Sequence, residues 1–211
     1  MNLKKGKGVL FGKIKIVLTF GLITLLSGCA SVVDSMDVVT GIGQISVEKE
    51  VLNDSTTVRM TPAWLADGTE EYGLNAYKLG ARWNSESPGT IILEPSYDSQ
   101  VGGGSYTSFD GITIKVNGDS QRFDKLGRTQ LSSSDYNTIS NTIYTESTGY
   151  VPVPIQIVER MVEGEDVRLR VHSFDGYEDS MFSMDRAMGG QGLARKYLRG
   201  FLNEVDRQSS P

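Results

Sequence analysis

Cysteine and histidine are almost absent from this sequence: Cys29 and His172 are the single examples among 211 residues. One cysteine excludes an internal disulfide, a zinc–thiolate cluster and a Cys-x-x-Cys redox pair. One histidine excludes a metal site built on several histidines, and we expect His172 to be a surface residue. The longest apolar run, residues 16–26, has 11 residues. A membrane-spanning helix needs about 20.

The start of the chain is typical of a secretory signal peptide. Five lysines and no acidic residue precede the apolar run, and a basic stretch before a short apolar stretch is the pattern of an export signal. The run ends in Leu26-Ser27-Gly28-Cys29, which resembles the lipobox of bacterial lipoproteins. The resemblance covers only the leader and the first mature residues.

This resemblance implies cleavage before Cys29, a diacylglyceryl thioether on its sulfur and an acyl chain such as palmitate on the new amine. Several acyl chains anchor a protein stably, whereas one does so only marginally. Ala30 and Ser31 follow the cysteine, and the lack of Asp there implies the outer membrane if the source is Gram-negative. We expect a signal peptide over 1–28, a lipidated tether over 29–42, one globular domain over 43–207 and a disordered tail over 208–211.

The expected mature chain is acidic. The leader removes five of the 21 basic residues, which leaves 16 against 26 acidic residues and a net charge of −10. Such a domain does not attract nucleic-acid phosphates or anionic lipid. We therefore expect no nucleic-acid partner and a membrane contact through the lipid alone. Because no motif indicates a bound ligand, we expect no cofactor apart from that covalent lipid.

Alternating apolar and polar residues predict several half-buried strands. Asn117-Gly118 and Asp175-Gly176 are turn signals that predict two of the hairpins. Helical spacing of apolar residues from Leu193 to Val205 predicts a C-terminal amphipathic helix. The predicted strands cover Gln44–Leu52, Thr56–Thr61, Ala76–Trp83, Thr90–Leu93, Gly111–Phe123 as a hairpin, Asp166–His172 and Tyr177–Phe182.

The segment 150–163 fits two structures. Val151, Val153 and Ile155 alternate with other residues as in a strand, but Pro152 and Pro154 cannot donate to a sheet. Pro154 is also suited to open a helix, and we favour a helix near 154–163. The predicted fold is α+β, mostly antiparallel hairpins forming a sheet, with a sandwich as the alternative.

Aromatic side chains are the first candidates for ligand contacts, because ring platforms bind sugars and peptides. Core packing uses the same residues, and the parity of Tyr77 and Trp83 along their strand puts both on one buried face. The candidate contacts are Trp64, Tyr72, Tyr77 and Trp83, with Tyr97 and Tyr106 nearby in sequence.

Acidic clusters and one glycine-rich segment are the other candidates. The acids could pair for acid–base chemistry or bind Ca²⁺, although we favour their interpretation as solvated turns. Residues 189–192 read Gly-Gly-Gln-Gly before the C-terminal helix, which suits either an anion site or a simple loop. The acids in question are Glu70, Glu71, Glu163, Glu165, Asp166, Asp175, Glu178 and Asp179.

Three functions follow from these observations. The first is a non-catalytic accessory or binding module of the cell envelope that docks on another envelope protein. The second is a small-ligand or glycan-binding lipoprotein that uses the Trp64–Tyr106 region. The third is an envelope hydrolase with a carboxylate pair. No motif of a known enzyme class supports the third, and we favour the first.

Overall fold

The computed structural model describes residues 40–68, 74–101, 106–135 and 143–209. These residues form antiparallel strands in two sheets together with two helices, which confirms the α+β prediction. The strands are β1 (Ile45–Lys49), β2 (Thr56–Ala66), β3 (Leu74–Asn84), β4 (Thr90–Val101), β5 (Phe109–Val116), β6 (Asp119–Asp124), β7 (Gln130–Ser133), β8 (Ile143–Thr148), β9 (Val151–Pro154), β10 (Val167–Ser173) and β11 (Gly176–Met181). The helices are α1 (Ile155–Glu163) and α2 (Ala194–Ser209).

The two sheets share one hydrophobic core. The large sheet has the strand order β1-β2-β3-β4-β8-β7, with β9 also paired to β4. The small sheet has the order β11-β10-β5-β6. Because side chains alternate between the faces of a strand, each sheet has a buried inner face and a polar outer face. Both inner faces and both helices contribute to a single cluster that includes Met60, Leu79, Trp83, Leu93, Phe109, Ile114, Leu169, Met161 and Phe201.

The C-terminal helix packs on the large sheet as its apolar face predicts. Leu198, Phe201, Leu202 and Val205 are buried on one side of α2, and this side contacts β2 and β3. The helix continues to Ser209, which is two residues into the segment expected to be a disordered tail.

Both expectations for 150–163 prove partly correct. Val151–Pro154 is strand β9, and the helix α1 begins immediately after Pro154. Among the described strands, β9 pairs only with β4, so its prolines lie at an edge where a missing amide hydrogen is tolerated. The buried inner face of the helix consists of Val158, Met161 and Val162.

The predicted Asn117-Gly118 hairpin is confirmed. Both residues have positive φ, 49° and 97°, and they join β5 to β6 through a two-residue turn, as type I′ requires. The first predicted strand was too long. It ends at Lys49, and the turn that follows is closed by a hydrogen bond from Glu50 N to Ser55 O. Val51 and Leu52 therefore lie in that turn, more than nine-tenths exposed.

Candidate functional site

The outer face of the small sheet gathers cationic side chains in one place. Along β10, Val167, Leu169 and Val171 are buried while the residues between them point outward. The register places Lys115 directly opposite Arg168, and Thr113 opposite Arg170. These side chains line an open cleft with a volume of about 540 Å³. We call it the cationic cleft and define it by Thr113, Lys115, Arg168, Arg170, His172 and Asp179.

Arg170 and Asp179 form the best-defined ion pair of the cleft. They are directly opposite across β10 and β11, and Nε and Nη2 of Arg170 donate to the two carboxylate oxygens at 2.6 and 2.7 Å. The hydrogen bonds from Arg170 lower the pKa of Asp179, and the same bonds raise the pKa of Arg170. The guanidinium also lies 3.8 Å from the ring centroid of Tyr177, so a carboxylate and an aromatic ring fix its position.

His172 lies on the outer face, as expected, and is partly buried. Its Nε2 is 2.8 Å from Oγ1 of Thr113. Burial lowers the pKa of His172, and the positive charges of Arg122 and Arg170 lower it further, so the ring is neutral at pH 7. The distance suits a base and a hydroxyl nucleophile, but within the described part of the chain no carboxylate hydrogen-bonds to the ring.

Lys115 and Arg168 are the cations of the cleft that remain open to a ligand. Among the described residues the side chain of Lys115 has no hydrogen-bond or ion-pair partner. Arg168 has weak ones: Asp166 Oδ1 at 3.7 Å from Nε and the Gly68 carbonyl oxygen at 3.4 Å from Nη1. Like charges directly opposite on paired strands repel each other. An anion between them would relieve that repulsion.

The candidate aromatic contacts are not brought together. Tyr77 and Trp83 are core residues, 8 % and 2 % exposed, and Trp83 donates its indole N–H to the Pro88 carbonyl. Buried rings offer no platform to a ligand, so the structure places both in the core instead of in a groove. Trp64 is partly buried under the ammonium group of Lys78, 4.4 Å from the ring centroid. Tyr72 lies outside the described residues.

The acidic candidates are dispersed. Asp166 and Asp179 line the cationic cleft, each beside an arginine, and Asp175 and Glu178 are exposed on the β10–β11 hairpin. Within the described ranges no group of three or more His, Cys, Asp or Glu side chains is placed to hold a metal ion. Glu70 and Glu71 lie outside those ranges, as does Cys29.

The glycine-rich segment before α2 forms a closed loop. Gly190 N donates to the Ala187 carbonyl, and Ala187 N donates to the Gln191 carbonyl. The Gly190 carbonyl accepts from Arg186 Nη1 at 2.8 Å, and its φ of 86° favours glycine. These backbone groups are used inside the loop, which supports the structural interpretation of residues 189–192.

The sequence did not reveal Lys115 and Thr113 as site residues. The alternation of β5 predicted that they point outward, but only the pairing with β10 places them beside Arg168 and Arg170. In the part of the chain that the structure describes, neither helix has the length and apolarity to cross a bilayer. Comparison with protein-family models, curated proteins and solved structures finds no match to this chain.

Proposed function

We propose that this chain is a lipid-anchored lipoprotein of the bacterial cell envelope whose domain is a non-catalytic binding module. The anchor rests on the lipobox-like Leu26-Ser27-Gly28-Cys29 after a basic and apolar leader. The domain then docks on another envelope component, which we expect to be a protein. The outer membrane is the proposed location if the source is Gram-negative.

The observation that carries the binding role is the cationic cleft. An acidic domain concentrates Lys115, Arg168 and Arg170 on one exposed sheet face, and Lys115 has no partner there among the described residues. Complementary charge speeds encounter and selects partners. The cleft is therefore the proposed docking surface, and its counterpart on the partner carries negative charge.

The internal bonds of the cleft favour binding over hydrolysis. Both oxygens of Asp179 accept hydrogen bonds from Arg170, so this carboxylate is committed to an arginine. His172 contacts Thr113, whereas catalytic use of such a pair needs a third group that orients the ring. These arrangements hold side chains in fixed positions, which suits recognition.

A crosslinked pull-down of the full-length lipoprotein from its own membranes tests the proposal. The double variant Lys115→Gln, Arg168→Gln removes both open charges and should reduce capture of a near-stoichiometric envelope partner by at least about tenfold, the effect of losing one charge-assisted contact. Lys49→Gln is the matched control, because Lys49 is exposed on the edge strand β1. It should leave capture unchanged.

Two results would contradict the proposal. Equal capture by the wild type and the double variant would show that the cleft is not the docking surface. Turnover of envelope polymers by the purified protein would show that the domain is an enzyme. Thermal unfolding of each variant, followed by circular dichroism, separates lost binding from lost folding.

A further inference from the structure

A fully buried carboxylate lies on the outer face of the large sheet. Glu94 follows the core residue Leu93 in β4 and therefore points away from the core, yet its side chain is 0 % exposed. Burial of a carboxylate is costly unless it is paired and hydrogen-bonded. The position of Glu94 therefore needs an explanation beyond packing.

Two arginines cover this carboxylate. Arg59 Nη2 donates to Glu94 Oε2 at 3.4 Å. Arg82 Nη2 lies 2.7 Å from Oε1 as an ion pair outside hydrogen-bond geometry, so Oε1 accepts no hydrogen bond from any described residue. The side chains of Arg59 and Arg82 remain 47 % and 40 % exposed.

The strand register explains how the three groups meet. Arg59 and Arg82 are directly opposite each other on β2 and β3, and Glu94 is directly opposite Gly80. Because Gly80 has no side chain, nothing at that position separates the carboxylate from the arginines. A Cβ at Gly80 would also lie only 3.0 Å from the Met60 carbonyl oxygen, so the site favours glycine.

The charges of this cluster do not balance. One carboxylate faces two guanidinium groups, which leaves one net positive charge. A guanidinium has five N–H donors, and Glu94 engages one nitrogen of each arginine. Because the side chains of Arg59 and Arg82 remain partly exposed, their other donors are accessible to a ligand. The ring of Tyr150 lies beside Arg82, with its centroid 5.8 Å from Arg82 Cζ.

We propose that Glu94 holds Arg59 and Arg82 as a paired-arginine site for a carboxylate ligand, separate from the cationic cleft. The planar fork of a guanidinium matches the two oxygens of a carboxylate, and a second anion would supply the missing negative charge. Glu94 acts as a positioning residue. The ligand carboxylate belongs to a free organic acid or to an acidic peptide segment, and the two share this recognition chemistry.

Fluorescence anisotropy with a labelled glutamate-rich peptide and the full-length chain in detergent tests the site. Arg59→Gln and Arg82→Gln should each weaken peptide binding by at least about tenfold. Arg128→Gln is the matched control, since Arg128 is exposed elsewhere and has no partner among the described residues, and it should have no effect. Displacement of the peptide by equimolar succinate would indicate a free acid, whereas displacement only by a large excess would indicate an acidic segment.

The role of Glu94 has its own test. Glu94→Gln keeps the shape of the side chain and raises the net positive charge of the cluster. If Glu94 only neutralised charge, this variant would bind the peptide more tightly. If Glu94 positions the arginines, binding should be weaker, and tighter binding would overturn the proposal.

Arg82→Lys keeps the charge and removes the planar fork of the guanidinium. It should weaken binding while the thermal unfolding midpoint changes little. Equal binding by the wild type, Arg59→Gln and Arg82→Gln would also overturn the proposal.

Discussion

At the scale of single residues, His172 links the chemistry of the cationic cleft to the stability of the fold. It is partly buried, and its hydrogen-bond partner is Thr113. Burial lowers its pKa below the ordinary value of 6.5, and the charges of Arg122 and Arg170 lower it further. The folded protein therefore binds a proton on this ring less readily than the unfolded chain does.

The sign of the resulting pH dependence follows from linkage. Stability from the neutral ring is fully present above pH 6.5 and is lost as the pH falls through the lower folded pKa, because the unfolded chain then binds more protons. His172→Gln removes this loss. Between about pH 8 and about pH 5, the thermal unfolding midpoint of the wild type should therefore fall by more than that of the variant.

Asp179 itself does not titrate within this pH range. Hydrogen bonds from Arg170 lower its pKa from 3.8, so its contribution is lost only at a pH well below the window used for His172. Parallel curves for the wild type and His172→Gln would contradict the assigned pKa direction.

At the scale of elements, the β5–β6 hairpin depends on the backbone of its two-residue turn. Gly118 has a φ of 97°, where a Cβ is strained whatever the available space. Gly118→Ala should lower the free energy of unfolding by about 1 kcal/mol, as measured by urea denaturation. Gly89→Ala is the matched control, because Gly89 also lies in a hairpin turn, has no unusual φ and has open space around its Cα. A similar loss at both sites would contradict this explanation.

Strands with a clear local alternation of apolar and polar residues could be predicted from the sequence. The cationic cleft and the Glu94 cluster could not, because they depend on contacts between distant residues. Residues 112–116 and 167–171 alternate clearly, so each strand and its outer face could be predicted. The pairing of Lys115 with Arg168 is a contact between residues 53 positions apart in the sequence, which no local pattern encodes. Strand β7 was missed because all four of its residues are exposed. Glu94 was missed because its burial depends on side chains from two other strands.

The aromatic residues show the same division. The parity of Tyr77 and Trp83 predicted a shared buried face, and both are in the core. Their alternative assignment as ligand contacts arose because a sequence shows that a ring is present but not what covers it. Tyr77 packs against Tyr97 and Phe109, with ring centroids 5.4 and 5.7 Å apart. These contacts join β3 to β4 and β5.

At the scale of the whole molecule, the net charge opposes membrane contact and the proposed lipid provides it. From Cys29 onward the chain has 16 basic and 26 acidic residues, a net charge of −10. Anionic headgroups repel such a chain. The proposed lipid on Cys29 is then the only group that holds it, and high salt should not release the wild-type protein from membranes, whereas detergent should.

Processing of the leader tests the anchor directly. Under the proposed anchor, the wild type should lose residues 1–28 and incorporate a palmitate label at Cys29, the residue directly after the expected cleavage site. Cys29→Ala removes the nucleophile, so the chain should remain unlabelled and keep its full 211 residues by intact mass. Ser31→Ala, two positions away, should be processed like the wild type. Cleavage of Cys29→Ala at the wild-type rate, with no label in either protein, would show an ordinary signal peptide and a released domain.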